Sequence, residues 1–350
     1  MPSGLKGLAA APQEPIPEPI PLSVLTGFLG SGKTTFLGRV LASPDLADTA
    51  VVISEFGAVA LDHLLLETES EGIVDLPNGC TCCAVRQGLA DTLYRLVDRR
   101  RDSGRPPFRR IALETSGLAD PAPILYTLSA DAYLEASLRL DRIVTTIDTI
   151  AGPASLARFP EATAQAASAD LLVLTKTDLA PATPELLTHL AAINPIARTV
   201  DGAAIDAATA LFGGAPVALP RPRPRIEAVH AHGIAALCIR LQRRMTRLEF
   251  AMALGRLARE HGESLLRVKG LVDFADGDGR PAAIHAVQHT LYPPRWLADW
   301  PDGDQTSRLV FIVRDLKPET ILAHFVPGDP VTIDNRESDT RESDNLEGEA

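Results

Sequence analysis

The chain has 350 residues, enough for one large and one small domain, each with its own core. A net charge of −11 argues against nucleic acid as a main partner, and no apolar run approaches the roughly 18 residues that cross a bilayer. With no secretory h-region after Lys6, a cytoplasmic location is the default, and clustered thiols there point to metal or redox work rather than cross-links.

Residues 1–19 are rich in Pro and Ala and read as a flexible leader. From there short apolar runs alternate with helix-length segments: Leu22–Thr26, Val51–Ser54, Ile111–Glu114, Ile143–Ile147 and Leu171–Leu174. This alternation predicts an α/β domain over residues 20–212, a parallel sheet with helices on both faces. Gly88–Arg101 carries Leu89, Leu93, Leu96 and Val97 at helical spacing and predicts a crossover helix. Residues 213–225, with their prolines, glycines and arginines, read as a linker. Beyond it, alternating runs surround one helix-like segment near Leu248–Glu260, and a last helix starts at Pro318. Residues 226–330 therefore read as a smaller α+β domain with an antiparallel sheet. The acidic residues 331–350, with their repeated Arg-Glu-Ser-Asp, read as a disordered tail.

The first apolar run leads into Gly27-Phe28-Leu29-Gly30-Ser31-Gly32-Lys33-Thr34, a complete G-x-x-x-x-G-K-[ST] loop placed between a strand and a helix. Its glycines let backbone N–H groups curl around phosphates, Lys33 reaches the β- and γ-phosphates, and the Thr34 hydroxyl can ligate Mg²⁺. Ile111-Ala112-Leu113-Glu114-Thr115-Ser116-Gly117 ends an apolar strand in a carboxylate. Glu114 is placed to hold Mg²⁺ and Gly117 to let the following loop sense the γ-phosphate. Leu174-Thr175-Lys176-Thr177-Asp178 closes the fifth strand. Asp178 can accept hydrogen bonds from the N1 and N2 donors of guanine, a pair that adenine lacks, and the stem of Lys176 can stack on the base. Thr175 stands where the usual N-K-x-D has Asn. An ATP-using kinase with the same loop is the competing nucleotide reading.

Asn78-Gly79-Cys80-Thr81-Cys82-Cys83 places three of the four cysteines within four residues. As thiolates they suit a borderline or soft ion, and with no second Cys/His pair nearby the shell stays open, which favours exchange over permanent structure. Adjacent Cys82 and Cys83 would need a loop to face one ion. Buried or oxidation-prone cysteines are the alternative. Cys238, alone among Ala235, Ala236, Leu237 and Ile239, reads as a core residue. His230 and His232 read as lying on one face of a strand, as packed or solvated side chains or as weak ligands.

With these motifs, with Thr35 after the phosphate loop, and with Ser54-Glu55-Phe56-Gly57 and Asp120-Pro121, the chain resembles the CobW family of metallochaperone GTPases. The second half agrees through Leu266-Arg267-Val268-Lys269-Gly270-Leu271 and His285-Ala286-Val287-Gln288-His289. The resemblance implies a P-loop NTPase domain followed by a CobW C-terminal-type domain. It implies GTP hydrolysis with Mg²⁺ at Thr34 and Glu114, coupled to delivery of zinc, or alternatively cobalt, from Cys80, Cys82 and Cys83 to a client metalloprotein. Glu55, in a switch-like loop, becomes a candidate for coupling metal to nucleotide or for positioning water, beside Lys33 and Glu114 as catalytic candidates. Ala58 removes a second carboxylate found in many members, and the Pro/Arg-rich linker replaces their His-rich tract. A metal-responsive sensor with negligible turnover is the alternative function. Neither nucleic acid nor membrane is an expected partner.

Overall fold

The computed structural model describes residues 18–46, 48–54, 73–75, 82–102, 108–213, 231–301, 303–325 and 332–333. Most of the leader and of the linker and nearly all of the tail lie outside the described residues, as do Glu55, Cys80 and His230. Seven strands form a parallel sheet in the order β3-β2-β4-β1-β5-β6-β7. They are β1 (Ile20–Gly27), β2 (Thr49–Ser54), β3 (Ile73–Asp75), β4 (Arg110–Thr115), β5 (Leu138–Asp148), β6 (Leu171–Thr175) and β7 (Arg198–Asp201). All five apolar runs predicted as strands lie within these elements; β3 and β7, both at sheet edges, complete the sheet.

Period-two alternation divides the strand side chains between two helical layers. Ile111 and Leu113 face α2 (Cys82–Asp102) and α3 (Ala122–Ala130), where Leu89, Leu93, Leu96, Ile124 and Leu125 bury their side chains. Ala112 faces the opposite way, toward Phe36, Leu37 and Val40 of α1 (Lys33–Leu41) and Ala210 and Leu211 of α8 (Ala207–Phe212). Each fully buried Leu or Val contributes about 1.5–3 kcal/mol. The strand order places β1 between β4 and β5, so the chain reverses direction across the sheet beside β1. In open α/β sheets such a switch point, at the carboxyl ends of the strands, is where ligands bind.

The second domain is an antiparallel sheet in the order β11-β10-β9-β13-β8-β14, with β12 paired to β10. Its strands are β8 (Ile234–Arg240), β9 (Leu265–Val272), β10 (Ala282–Val287), β11 (Thr290–Leu291), β12 (Arg295–Trp296), β13 (Arg308–Arg314) and β14 (Thr332–Ile333). One face, with Leu309, Phe311 and Val313, packs on α9 (Arg247–His261) and α10 (Pro318–Phe325). The other face, with Val310, Ile312, Leu266 and Leu271, packs on α6 (Pro160–Ser168) and α7 (Pro184–Ile193) of the first domain. The antiparallel sheet is thus covered on both sides, once by its own helices and once by the neighbouring domain. An irregularity in the β13–β9 register between Ile312 and Val313 shifts the alternation, so that Leu266 and Leu271 share a face despite their odd spacing.

A buried ionic cluster sits within this interface. Arg267, fully buried, donates to the Ser168 carbonyl at 2.7 Å and to Asp170, and Lys269 also pairs with Asp170. Asp170 accepts in addition from the Ile143 amide at 2.9 Å. Burial alone would raise the Asp170 pKa, but Arg267 and Lys269 outweigh it and hold the carboxyl far below the usual range. Cys238 is half-buried against the same interdomain apolar cluster, in keeping with a core role. His232 departs from expectation. It lies in a 3₁₀ turn, Ala231–Gly233, with φ of 67°, so it belongs to no strand and cannot share a strand face with His230.

Candidate functional site

The phosphate loop runs from the end of β1 into α1 and keeps the conformation its sequence demands. Gly30 and Gly32 have φ of 68° and 87°, left-handed values that a side chain would strain, and Gly32 is the N-cap of α1. Two hydrogen bonds pin the loop to neighbouring strands. The hydroxyls of Ser31 and Thr146 lie 2.7 Å apart, and Thr175 donates to the Ser31 carbonyl at 2.7 Å. Buried Lys33 extends its ammonium over the loop and donates to the carbonyls of Gly27 and Phe28 at 2.9 and 3.2 Å. Thr34, half-buried, and exposed Thr35 follow in the first helical turn.

Thr34 Oγ1 donates to Glu114 Oε1 at 2.8 Å, and Glu114 is buried at the end of β4. The two groups named as Mg²⁺ ligands, distant in sequence, are therefore adjacent. An all-oxygen pair of hydroxyl and carboxylate beside a phosphate loop is the donor set a hard divalent cation takes. Gly117 lies against the loop from the other side: a Cβ there would come within 2.9 Å of the Leu29 backbone N and Cα. The loop between β4 and α3 thus touches the phosphate loop directly. Gln165, from α6, clamps it by donating to the carbonyls of Gly117 and Ala119 at 3.1 and 3.0 Å. Asp120 extends it to the second domain, accepting from Gln288 Nε2 at 2.8 Å.

At the end of β6, Lys176 adopts a left-handed φ of 58°, a conformation that costs a non-glycine residue roughly 1 kcal/mol or more. Its ammonium pairs with Asp148 at 2.5 Å, which holds the aliphatic stem in place. Asp148 is buried, which opposes ionisation, yet Lys176 and the amides of Ile150 and Ala151 keep its carboxyl below the usual range. Asp178 is exposed in the turn that follows. Thr149 braces that turn: its amide donates to the Thr175 carbonyl at 3.1 Å and its hydroxyl to the Ala180 carbonyl at 2.8 Å.

Asp148 and Gln165 escaped the sequence reading. The apolar run Ile143–Ile147 ends immediately before Asp148, the same strand-end carboxylate signal that singled out Glu114. Gln165 carries no comparable mark, since it sits within an Ala-rich helix.

The metal motif is corrected in one respect. Cys82 and Cys83 open helix α2 rather than lying in a loop.

Known proteins agree with this arrangement. The CobW/HypB/UreG nucleotide-binding domain family matches residues 21–201, and the cobalamin synthesis protein cobW C-terminal domain matches residues 234–326. The chain is 33% identical to the zinc chaperone YjiA of Escherichia coli over 315 residues, covering 88% of this chain and 98% of YjiA. It is 36% identical over 173 residues to the zinc-regulated GTPase metalloprotein activator 1 of Schizosaccharomyces pombe, covering 46% of this chain and 40% of that protein. The crystal structure of Zn(II)-bound YjiA GTPase is similar at a TM-score of 0.64 and 29% identity, over 88% of this chain and 98% of that one. Together with the phosphate loop and the two-sheet architecture, these matches establish that the chain belongs to the CobW/HypB/UreG family of nucleotide-binding proteins and carries a CobW C-terminal domain.

Proposed function

We propose that this GTPase is a metallochaperone that takes up zinc, with cobalt as the alternative, at Cys80, Cys82 and Cys83 and passes it to a client metalloprotein. The observation that carries the reading is the packing path from α2 to the nucleotide loop. Helix α2 begins at Cys82 and buries Leu89, Leu93 and Leu96 in the same apolar cluster as Ile124, Leu125 and Leu128 of α3. Helix α3 in turn begins directly after the loop in which Gly117 meets the phosphate loop. A change at the γ-phosphate can therefore reach the cysteine end of α2 through rigid, packed elements.

Within the nucleotide site the roles follow from chemistry. Lys33 and the loop amides would bind the phosphates, and Thr34 and Glu114 would hold Mg²⁺, which when bound neutralises charge developing on the phosphoryl oxygens. Asp178 would read guanine and Lys176 would support the base, its ammonium already anchored by Asp148. Glu55 remains the candidate for orienting water or for linking metal to nucleotide. The relatives named zinc chaperone and zinc-regulated GTPase support zinc as the first cargo to test.

The test is phosphate release from GTP, measured with and without Zn²⁺, in the natural chain and in Cys82→Ala. Zinc should raise turnover in the natural chain, and the variant should lose both the stimulation and most of the zinc affinity. Equal binding and equal stimulation in the variant would sink the proposal. A background-level rate unaffected by zinc in the natural chain would favour the sensor reading instead.

A further inference from the structure

Where the C-terminal end of α9 meets α10, Glu260, His261 and His324 bring a carboxylate oxygen and two imidazole nitrogens within 4.8 Å of one another. His324 fixes the chemistry of the group. Its Nδ1 lies 2.8 Å from the Thr320 carbonyl oxygen, which can only accept, so Nδ1 carries the hydrogen. The lone pair of Nε2 is thereby turned outward, toward Glu260 Oε2 at 3.0 Å. Two acceptors that close require a positively charged species, either a proton on Nε2 or a metal ion shared by both.

Metal-ligating histidines are commonly oriented in this way, with the second ring nitrogen donating to a backbone carbonyl. The His261 ring stands nearly perpendicular to that of His324, at 84° with centroids 5.9 Å apart, and supplies the third ligand atom. The group also caps the end of a 15-residue helix, where the partial negative charge of the macrodipole favours a cation.

We propose that Glu260, His261 and His324 form a second divalent-metal site, selective for borderline ions such as Zn²⁺, Co²⁺ or Ni²⁺. It uses nitrogen and oxygen ligands in the C-terminal domain and stands independently of the cysteine motif. Two imidazoles and one carboxylate are a three-ligand set that leaves a tetrahedral ion one position for water or an incoming ligand. Ligand atoms around such an ion lie about 3.3 Å apart with bonds of about 2.0–2.1 Å, so only a modest closing movement is needed. The half-exposed Glu260 side chain, with 56% of its surface accessible, can make it and leaves the ion reachable from solvent. Hard ions such as Mg²⁺ are disfavoured by the imidazoles.

The experiment uses the full chain carrying Cys80→Ser, Cys82→Ser and Cys83→Ser, titrated with Co²⁺ and followed by visible absorption and equilibrium dialysis. It should bind one Co²⁺ with d–d bands and no thiolate-to-cobalt charge transfer. Adding His261→Ala or Glu260→Gln should weaken that ion at least tenfold, while circular dichroism and melting temperature report an unchanged fold. In the chain with its cysteines intact, the same two substitutions should lower the zinc stoichiometry by one, a readout that needs neither GTP turnover nor an intact cysteine site. His324→Ala should act likewise. Metal uptake that His261→Ala and Glu260→Gln leave unchanged would overturn the proposal, as would the absence of any ion in the cysteine-free chain.

Discussion

Replacing Gly117 with Ala tests the contact between the β4–α3 loop and the phosphate loop, through which the proposed function routes nucleotide sensing. An added Cβ would stand 2.7 Å from Leu29 Cδ2 and 2.9 Å from both the N and Cα of Leu29. The Leu29 side chain is 57% exposed and can swing away, but its backbone cannot move without moving the phosphate loop. Carbon atoms prefer separations of about 3.5–4.0 Å, so the two loops must part by roughly 0.6–1 Å. The phosphate loop is held by Ser31, Thr146 and Thr175, and the opposing loop by Gln165 and Asp120, so neither yields freely. A misplacement of about 1 Å near reacting groups can cost on the order of 100-fold in rate. We therefore expect Gly117→Ala to lower kcat/KM for GTP by about 10- to 100-fold, or roughly 1.4–2.7 kcal/mol of transition-state stabilisation. Steady-state phosphate release and fluorescent-nucleotide binding measure it. Gly38→Ala is the control: it lies in α1 with nothing within 4 Å of the added carbon, and should stabilise the fold by about 0.5–1 kcal/mol without altering turnover. Kinetics within twofold of the natural chain in a folded Gly117→Ala protein would refute the reasoning.

Asp170→Asn leaves Arg267 and Lys269 buried without their counter-charge and should cost about 3–5 kcal/mol in urea unfolding. Adding Arg267→Met and Lys269→Met should recover much of that loss. The same cluster sets a pH dependence. Burial first, and then Arg267, push the His285 pKa well below its ordinary value, so the unfolded chain takes up a proton that the folded chain refuses. Stability should fall as pH drops below about 6.5. A second loss should follow below about pH 4, where the unfolded Asp170 carboxyl is protonated before the folded one. Flat stability between pH 7 and pH 5 would contradict the His285 assignment. Gln288→Ala removes the hydrogen bond to Asp120 and should lower zinc stimulation of GTP turnover several-fold, with basal turnover within about threefold and a stability loss of about 1.5–3 kcal/mol. Full stimulation in that variant would show that the contact carries no coupling.

Local signals made the nucleotide half legible. The phosphate loop is eight contiguous residues whose backbone geometry is dictated by its own glycines, and the central strands announce themselves as apolar runs because both faces are covered. The edge strand β7, with the sequence Arg-Thr-Val-Asp and no fully buried residue, offers no such run. Contacts between distant positions were equally silent. Lys176 and Asp148 are 28 residues apart, Asp120 and Gln288 are 168 apart, and nothing in the composition around either pair marks them as partners. The same holds for Glu260 and His324, 64 residues apart, which meet only because α9 and α10 pack side by side on one sheet face. His232 failed for a different reason: strand periodicity near Ala228 extended the reading past Gly233, whose φ of 71° and close contact with Asp315 mark a turn.

The magnitudes also decide which part of the molecule can respond to nucleotide. The loop from Ser116 to Pro121 holds three attachments at once: to the phosphate loop through Gly117, to α6 through Gln165, and to the second domain through Asp120 and Gln288. The domains themselves are joined by a contiguous apolar cluster that includes Leu186, Leu190, Ile193, Leu271, Val310 and Ile312, each contributing about 1.5–3 kcal/mol of burial. The Asp120–Gln288 hydrogen bond, partly exposed and charge-assisted, contributes about 1.5–3 kcal/mol in all. A nucleotide-driven shift of the loop therefore cannot separate the domains. It can break or remake the loop's own hydrogen bond to Gln288, whose turn between β10 and β11 already carries a left-handed φ of 48°. On the proposed function, the interface would serve as a fixed platform against which this small loop moves, and a conformational signal would pass from the β4–α3 loop into α3 and from there to α2, which packs on α3.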